Sequence, residues 1–419
     1  MGCVASGSVG AALRHRDFAL FWSGALVSNI GSWMQSLAVP FVIYDTTHSA
    51  AWVGFAGFMQ FFPSVVLSPI GGSLADRRNR KHVLLVTQTI FAILAFVLWG
   101  CWVAGVRSPW ALTGIVGLGG IVAGVNVPSW QAFISELVPR EDLLGAITLN
   151  SAQFNASRAI GPALGGLVVA TLGPAWAFFI NGVSFAAVLG ALALIPSRHR
   201  EIHPTDQGVL SQFADGVRHL WAHRGMRISY LLVVAMAFFG NPMLTLATAV
   251  ARSVYDVGAF GLGALTAAFG TGAVLGAWIL STWGRDRPAS LVGRAAFTLF
   301  AVSVVAFGAS PVLVLGVLAF FAAGIGYLMA IATFNTTLQL LVEESMRGRV
   351  MGFYVMGFTG AYPLGALIQG AIAQVIGVQL TIMIAGLCLV AISVGLFARP
   401  VLIGHLDSAR RQERERVPA

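Results

Sequence analysis

Apolar residues run along this chain in long unbroken blocks rather than alternating with polar ones. The blocks lie near 18–44, 50–73, 83–105, 110–134, 146–171 and 175–195, and again near 228–250, 258–282, 289–308, 312–340, 350–375 and 379–398. A helix needs about 20 mostly apolar residues to cross the hydrocarbon layer of a bilayer, so the pattern predicts twelve membrane-spanning helices. Strands of a closed barrel would alternate apolar and polar over about ten residues. These blocks are continuous and twice that length.

The longest polar connection, Ser197 to Arg227, falls near the middle of the chain. It predicts a six-helix bundle over 1–196, a linker over 197–227, a second six-helix bundle over 228–400 and a charged tail over 401–419. Leu210, Phe213, Val217 and Leu220 recur at helical spacing in the linker, as in a short amphipathic helix on the inner membrane face. The halves match at an offset of 204 residues. Gly54, Gly57 and Gly72 align with Gly258, Gly261 and Gly276, Leu137-Val138 with Leu341-Val342, and Trp130 with Phe334. Six spans per half start both halves on the same side. That is a parallel repeat about an axis along the membrane normal, and rocking of such halves about a central site gives alternating access.

Composition agrees. The 419 residues are 57% hydrophobic and 10% charged, against about 25% charged in an average soluble domain. Cys3, Cys101 and Cys388 are too few and too far apart for a disulfide framework. The first residues, Met1 to Arg16, lack a cleavable signal pattern. The net charge of +9 is distributed by topology. Arg77, Arg78, Arg80 and Lys81, then Arg140, Arg198 and Arg200, then Arg285 and Arg287, then Arg347 and Arg349, occupy alternate connections, and Arg14, Arg16, Arg410, Arg411, Arg414 and Arg416 flank the ends. The opposite connections carry little beyond Arg107 and Arg252. Basic residues stay on the cytoplasmic side, so both termini are expected there, in a multi-pass plasma-membrane protein. Arginines scattered over short loops do not form the single basic face that nucleic acid needs.

Polar groups inside the blocks are the candidate binding chemistry. A charge at the bilayer centre costs about 2.5–3.5 kcal/mol on insertion scales, and Arg158 is the one deep in a span. It reads either as an anion-binding group or as a packing arginine bonded to carbonyls. Asn29 and Trp33 are four apart and share a face of span one; Asn126 and Trp130 do so on span four. Asn241 on span seven and Asn335 on span ten extend the set, with Gln60, Asn155 and Tyr354 as further candidates. Each also reads as an interhelical hydrogen bond. A mostly apolar cavity with a few polar groups suits an amphipathic small molecule. No acidic residue lies mid-span; Asp45, His48 and Asp256 lie near the outer ends, and Asp76 and Glu136 near the inner. The histidines lack metal-ligand spacing and there is no phosphate-binding G-x-x-x-x-G-K-[ST] loop, so neither an enzyme, a metal nor a cofactor is expected.

Between spans two and three runs Gly72-Ser73-Leu74-Ala75-Asp76-Arg77-Arg78-Asn79-Arg80-Lys81. Positive-inside topology explains its basic residues but not the glycine, read as a close helix approach, or the aspartate. The stretch resembles the signature loop of the major facilitator superfamily, G-x-L-x-D-R-x-G-R-K. Asn79 replaces the usual glycine and tolerates a left-handed turn. The resemblance implies a conformational switch at Gly72, Asp76, Arg77, Arg80 and Lys81, with Asp76 facing the start of helix eleven near Gly348 to Met351. A carboxylate at a helix N-terminus is worth roughly 0.3–1 kcal/mol when exposed. The second-half loop, Gly284-Arg285-Asp286-Arg287-Pro288, is a degraded copy with Leu280 in place of Asp76. Glu136 is expected to pair with Arg80, and Glu343 or Glu344 with Arg287, at the inner face.

Within span five, Gly161-Pro162-Ala163-Leu164-Gly165-Gly166 combines a proline kink with small residues for a tight crossing. It is similar to the G-P-x-x-G-G core of the superfamily's antiporter motif, which implies export. Leu13 to Phe18 with Phe21-Trp22, Ser28 to Gln35, Pro128 to Ala132, Glu136 to Arg140, Phe334 to Thr337 and Arg347-Gly348-Arg349 are similar to its enterobactin-exporter-like transmembrane effector branch. That resemblance implies a monomeric exporter of a siderophore or amphipathic drug, in exchange for protons. A facilitator or importer on the same fold, or a non-transporting receptor or scaffold, is the competing reading.

Overall fold

The computed structural model describes residues 9–197, 209–284, 286–344 and 346–407. Every regular element among them is helical. The first half holds α1 (Arg16–Thr47), α2 (Ala50–Arg77), α3 (Arg80–Val103), α4 (Pro109–Leu137), α5 (Leu143–Leu172) and α6 (Pro174–Leu194). A connecting helix follows, α7 (Val209–Ala222). The second half holds α8 (Arg224–Ala235) and α9 (Pro242–Ser253), joined by a π-helical turn, Met236–Gly240. After these come α10 (Ala259–Thr282), α11 (Ala289–Ala309), α12 (Leu313–Leu341), α13 (Arg347–Ile376), α14 (Val378–Ala398) and the short α15 (Pro400–Gly404). Eleven helices, counting Arg224–Ser253 as one, are long and apolar enough to cross a membrane. The twelfth apolar block forms α5, which is not among them. At about 1.5 Å per residue it has the length to span, but Asn150, Gln153, Asn155 and Arg158 dilute its first half.

The chain divides into two compact units, Met1–Thr46 with Met59–Thr205, and Thr47–Phe58 with Asp206–Ala419. The internal repeat is visible in the helix bounds. The bounds of α4, α5 and α6 recur 204 residues later, to the residue, as those of α12, α13 and α14. Gly173 and Gly377, also 204 apart, end α5 and α13 at the same φ of 89°, a left-handed value that glycine adopts without strain. Proline then opens α6, whereas valine opens α14.

Lipid tails are as apolar as leucine, so these helices associate through close packing rather than hydrophobic burial. Glycines supply it. A Cβ on Gly120 of α4 would lie 2.6 Å from the Met59 carbonyl oxygen of α2. One on Gly276 of α10 would lie 2.7 Å from the Ile325 carbonyl oxygen of α12. Aromatic rings fill the second unit's interior, with Phe307 and Phe320 at 4.5 Å between centroids and Phe269 and Tyr327 at 5.4 Å. The outward faces are apolar too: Trp110, Trp278 and Val375 are 68%, 62% and 83% exposed, as lipid-facing side chains are.

The π turn was not legible in the sequence, although Pro242 marks it. Proline has no N–H to give the carbonyl four residues back, that of Phe238. Asn241 N donates instead to Met236 O at 2.9 Å, five residues back. Gln369 of α13 covers the orphaned carbonyls: its Nε2 donates to Phe238 O at 2.8 Å and Phe239 O at 3.2 Å.

The linker helix forms as α7. Leu220 is fully buried, and a Cβ on Gly216 would lie 2.8 Å from the Arg349 carbonyl oxygen. Arg349 Nη1 donates to Asp215 Oδ2 at 3.3 Å, so α7 is clamped to the start of α13. The Leu210 and Phe213 side chains lie outside the described ones. The last described residues also pack. Leu406 is fully buried, and Asp407 accepts from Ser290 N at 3.0 Å and from Ser290 Oγ at 2.6 Å. Asp407 thereby caps α11, whose own preceding residue is Pro288.

Gln369→Leu removes the donor from two buried carbonyls and is expected to cost about 1–3 kcal/mol, read as a lower thermal midpoint of the purified protein in detergent; an unchanged midpoint would refute the role.

Candidate transport cavity and inner-face clasp

Three helix ends meet at the loop after α2. Arg80 opens α3 and is 6% exposed. Its Nε donates to Ala75 O at 3.2 Å, at the end of α2, and its Nη1 donates to Ala132 O and Glu136 Oε1 of α4, both at 3.0 Å. One guanidinium thus ties α2, α3 and α4 together, its fork satisfying carbonyls that a helix end leaves open. Lys81 Nζ donates to Ile195 O at 2.6 Å, tying in the end of α6. Arg77 and Arg78 are exposed. Asp76 is in the last turn of α2, and its side chain lies outside the described ones.

Two readings of this loop need correction. Asn79 is not left-handed: its φ is −64°. It is there as the N-cap of α3, its Oδ1 accepting from His82 N at 3.3 Å while its Nδ2 donates to Ser197 Oγ at 2.7 Å. An N-cap wants an extended residue with a side-chain acceptor, which asparagine supplies. The close helix approach is also not at Gly72, whose Cβ would meet nothing within 4 Å. It is at Gly71, where a Cβ would lie 2.8 Å from the Val125 Cα of α4.

The second unit is built differently here. The positions 204 after Arg80 and Glu136 are Gly284 and Leu340, and both line a cavity of about 350 Å³ together with Ser281, Thr336, Thr337 and Leu406. Arg287 stands 5.4 Å over the Trp283 ring, and Glu343 and Glu344 are exposed. The N-terminal end of α1 has a pairing that the residue pattern did not reveal: His15 Nε2 lies 2.6 Å from Asp142 Oδ2. Nothing at helical spacing links a residue before α1 to the connection before α5. In the connection before α10, burial raises the Tyr255 phenol above its usual range, partly countered by its hydrogen bond to Ser310.

Gly161, Pro162, Gly165 and Gly166 are all buried in α5. A Cβ on Gly161 would lie 2.5 Å from Trp33 Cβ, and one on Gly165 would lie 2.9 Å from Met34 O, so the run is the seat of α1. The helix runs unbroken through Pro162. Gly365 of α13, 204 residues after Gly161, does the same job: a Cβ there would lie 3.0 Å from Pro242 Cγ.

Inside the first unit is a cavity of about 520 Å³. Asn29, Asn126 and Trp130 line it, with Gln60 and Asn155. Gln35, Gln88, Gln131, Asn150 and Asn181 also line it and were not singled out from the sequence. Their signal was present: polar amides at helical spacing within apolar blocks. Hydrogen bonds hold the amides. Thr87 Oγ1 and Gln88 Nε2 donate to Asn126 Oδ1 at 2.9 and 3.0 Å, Trp130 Nε1 donates to Asn150 Oδ1 at 3.1 Å, and Asn181 Nδ2 donates to Gln35 Oε1 at 2.8 Å. Phe91 and Phe185 stack at 6.0 Å, and both reach the cavity. Trp33 and Arg158 lie outside the lining. Arg158 stands 5.6 Å over the Trp33 ring, a cation–π contact, and Trp33 meets the cavity residue Phe154 edge-on at 5.7 Å. Asn241 and Asn335 belong to the second unit. Asn241 is 5% exposed and its Oδ1 is buried without a partner. Asn335 accepts from Gln339 and bonds Tyr354.

A helical membrane body with an amphipathic cavity is the build of a small-molecule transporter. The chain belongs to the transmembrane secretion effector family, whose model matches residues 7–418, a branch of the major facilitator superfamily. It is 29% identical over 412 residues to the enterobactin exporter EntS of Citrobacter koseri, covering 95% of this chain and 94% of that protein. It is 21% identical over 384 residues to macrolide efflux protein A of Streptococcus pyogenes, covering 90% and 94%. Its fold is similar to the nucleoside transporter NupG (D323A mutant), with a TM-score of 0.71 at 13% identity over 91% of this chain and 99% of that one. It also resembles a bacterial homolog of the human lysosomal transporter Spinster, with a TM-score of 0.69 at 15% identity over 94% and 97%. The protein is therefore a multi-pass inner-membrane transporter of small molecules, not an enzyme.

Glu136→Leu removes a carboxylate from the buried Arg80 and is expected to cost about 3 kcal/mol. Arg80→Met with Glu136→Leu, which imitates the apolar second unit, is expected to melt higher than Glu136→Leu alone; equal melting would refute the clasp. Separately, Gly71→Ala is expected to cost about 1–3 kcal/mol of stability through overpacking, read as a lower midpoint, whereas Gly72→Ala is expected to stay within about 0.5 kcal/mol of wild type or gain stability.

Proposed function

We propose that this protein exports a small amphipathic molecule by alternating access, in exchange for protons. The observation that carries the reading is the amide- and aromatic-lined cavity of about 520 Å³ in the first unit. Its polar groups are few enough to accept an apolar body and fixed enough to orient one. Export is supported by the relatives, two of which are named as an exporter and an efflux protein, and by the α1 seat on Gly161 and Gly165. In this reading the chain works as a monomer, α5 spans as the twelfth helix and both termini face the cytoplasm. Asp76 sets the balance between outward- and inward-open states, and Glu343 or Glu344 pairs with Arg287 in one of them. The Arg80 clasp keeps the ends of α2, α3 and α4 together while the halves rock. Arg158, stacked on Trp33, holds the α1–α5 seat. Proton exchange rests on analogy with the superfamily.

Everted membrane vesicles energised with a pH gradient are expected to accumulate a fluorescent lipophilic dye. The signal should disappear when the gradient is collapsed and in Asp76→Asn, and fall in Arg158→Ala. Protein-dependent entry that reaches only equilibrium and is unchanged by collapse of the gradient would assign a facilitator instead.

A further inference from the structure

The cavity of the first unit has a chemical bias of its own. None of the side chains that line it carries a charge, though they include nine carboxamides. A charged group moved there gives up its hydration with no opposite charge to receive it, which is strongly unfavourable. The site therefore sorts ligands by charge before it sorts them by shape.

The amides also point in a defined sense. The indole N–H of Trp130 is a donor only, so the atom of Asn150 it meets at 3.1 Å is the oxygen. That leaves the Asn150 NH2 group for whatever occupies the cavity. Asn126 Oδ1 is met by Thr87 Oγ1 and Gln88 Nε2. The stacked rings of Phe91 and Phe185 supply the apolar face.

Taking this cavity as the substrate site, as proposed above, we propose that it selects an uncharged amphiphile over a charged one of the same frame. The Asn150 NH2 group holds one of its oxygens, and its apolar frame lies against Phe91 and Phe185.

The test is equilibrium binding to the purified full chain in lipid nanodiscs, without any gradient, empty discs being subtracted. Three dyes share one 7-(diethylamino)coumarin core: an uncharged ethyl ester, a carboxylate and a quaternary ammonium. The ester is expected to bind about tenfold or more tightly than either charged dye, and Asn150→Leu is expected to weaken it about tenfold, the loss of a donor to a ligand oxygen. Asn150→Asp and Asn126→Asp keep the acceptor that Trp130 or Thr87 needs but replace the NH2 with a charge. Each is expected to reverse the ranking toward the ammonium dye, and two variants guard against one failing to fold. The proposal is overturned if a charged dye binds wild type as tightly as the ester, if the ester does not bind up to its solubility limit, or if both aspartate variants leave the ranking unchanged. Correct ranking without gradient-driven transport in vesicles would instead sink the exporter reading and leave this one standing.

Discussion

Close approach between helix backbones is the constraint on which the rest of this structure depends. In lipid the segments gain nothing from hiding apolar side chains from one another, so they must gain from contact. Contact at backbone distance requires that one partner have no side chain. Gly71 and Gly120 seat α4 on α2, Gly161 and Gly165 seat α5 on α1, and Gly365 seats α13 on the π turn. The cavity exists because these crossings fix the helices around it. Its lining residues come from α1 to α6, and four of those helices, α1, α2, α4 and α5, would have to shift if the seats were filled.

Several polar groups at helix ends and breaks in this protein are satisfied from a neighbouring helix rather than from their own. Arg80 closes three helix ends with one guanidinium. Gln369 serves the carbonyls that Pro242 leaves open, and Asp407 caps α11 from 117 residues away. For the carbonyls beside Pro242, within a span, the amide takes the place of a water that a bilayer does not supply. The two units close the corresponding helix ends unequally. Where the first has an arginine and a glutamate, the second has Gly284, Leu340 and the chain's own last helical turn, with Leu406. The repeat thus preserved its helix lengths in the later spans and let its polar chemistry diverge.

The helices were legible because continuous apolar blocks have only one common meaning at this length. The repeat was legible as an offset of 204, and the helix bounds of α4 to α6 and α12 to α14 follow it. The Arg80–Glu136 contact was legible because both residues end apolar blocks on the same side. Besides the π turn and the His15–Asp142 pair, three things were not. The seat at Gly71 rather than Gly72 depends on the rotation of α2 by one residue, which adjacent glycines do not encode. The capping role of Asn79 depends on a backbone conformation that asparagine shares with its alternative. The cavity wall drew on amides, such as Gln88 and Asn150, that look like ordinary interhelical bonds until the helices are packed.

The Asp407–Ser290 contact has a practical side. Residues 400–407 are part of the folded body, with Ile403 2% exposed and Leu406 fully buried. A reporter or affinity handle joined at Pro400, where the last apolar block ends, would strip α11 of its cap and uncover the cavity beside Leu340. Joined beyond Asp407, the same handle would leave that end of the second unit closed.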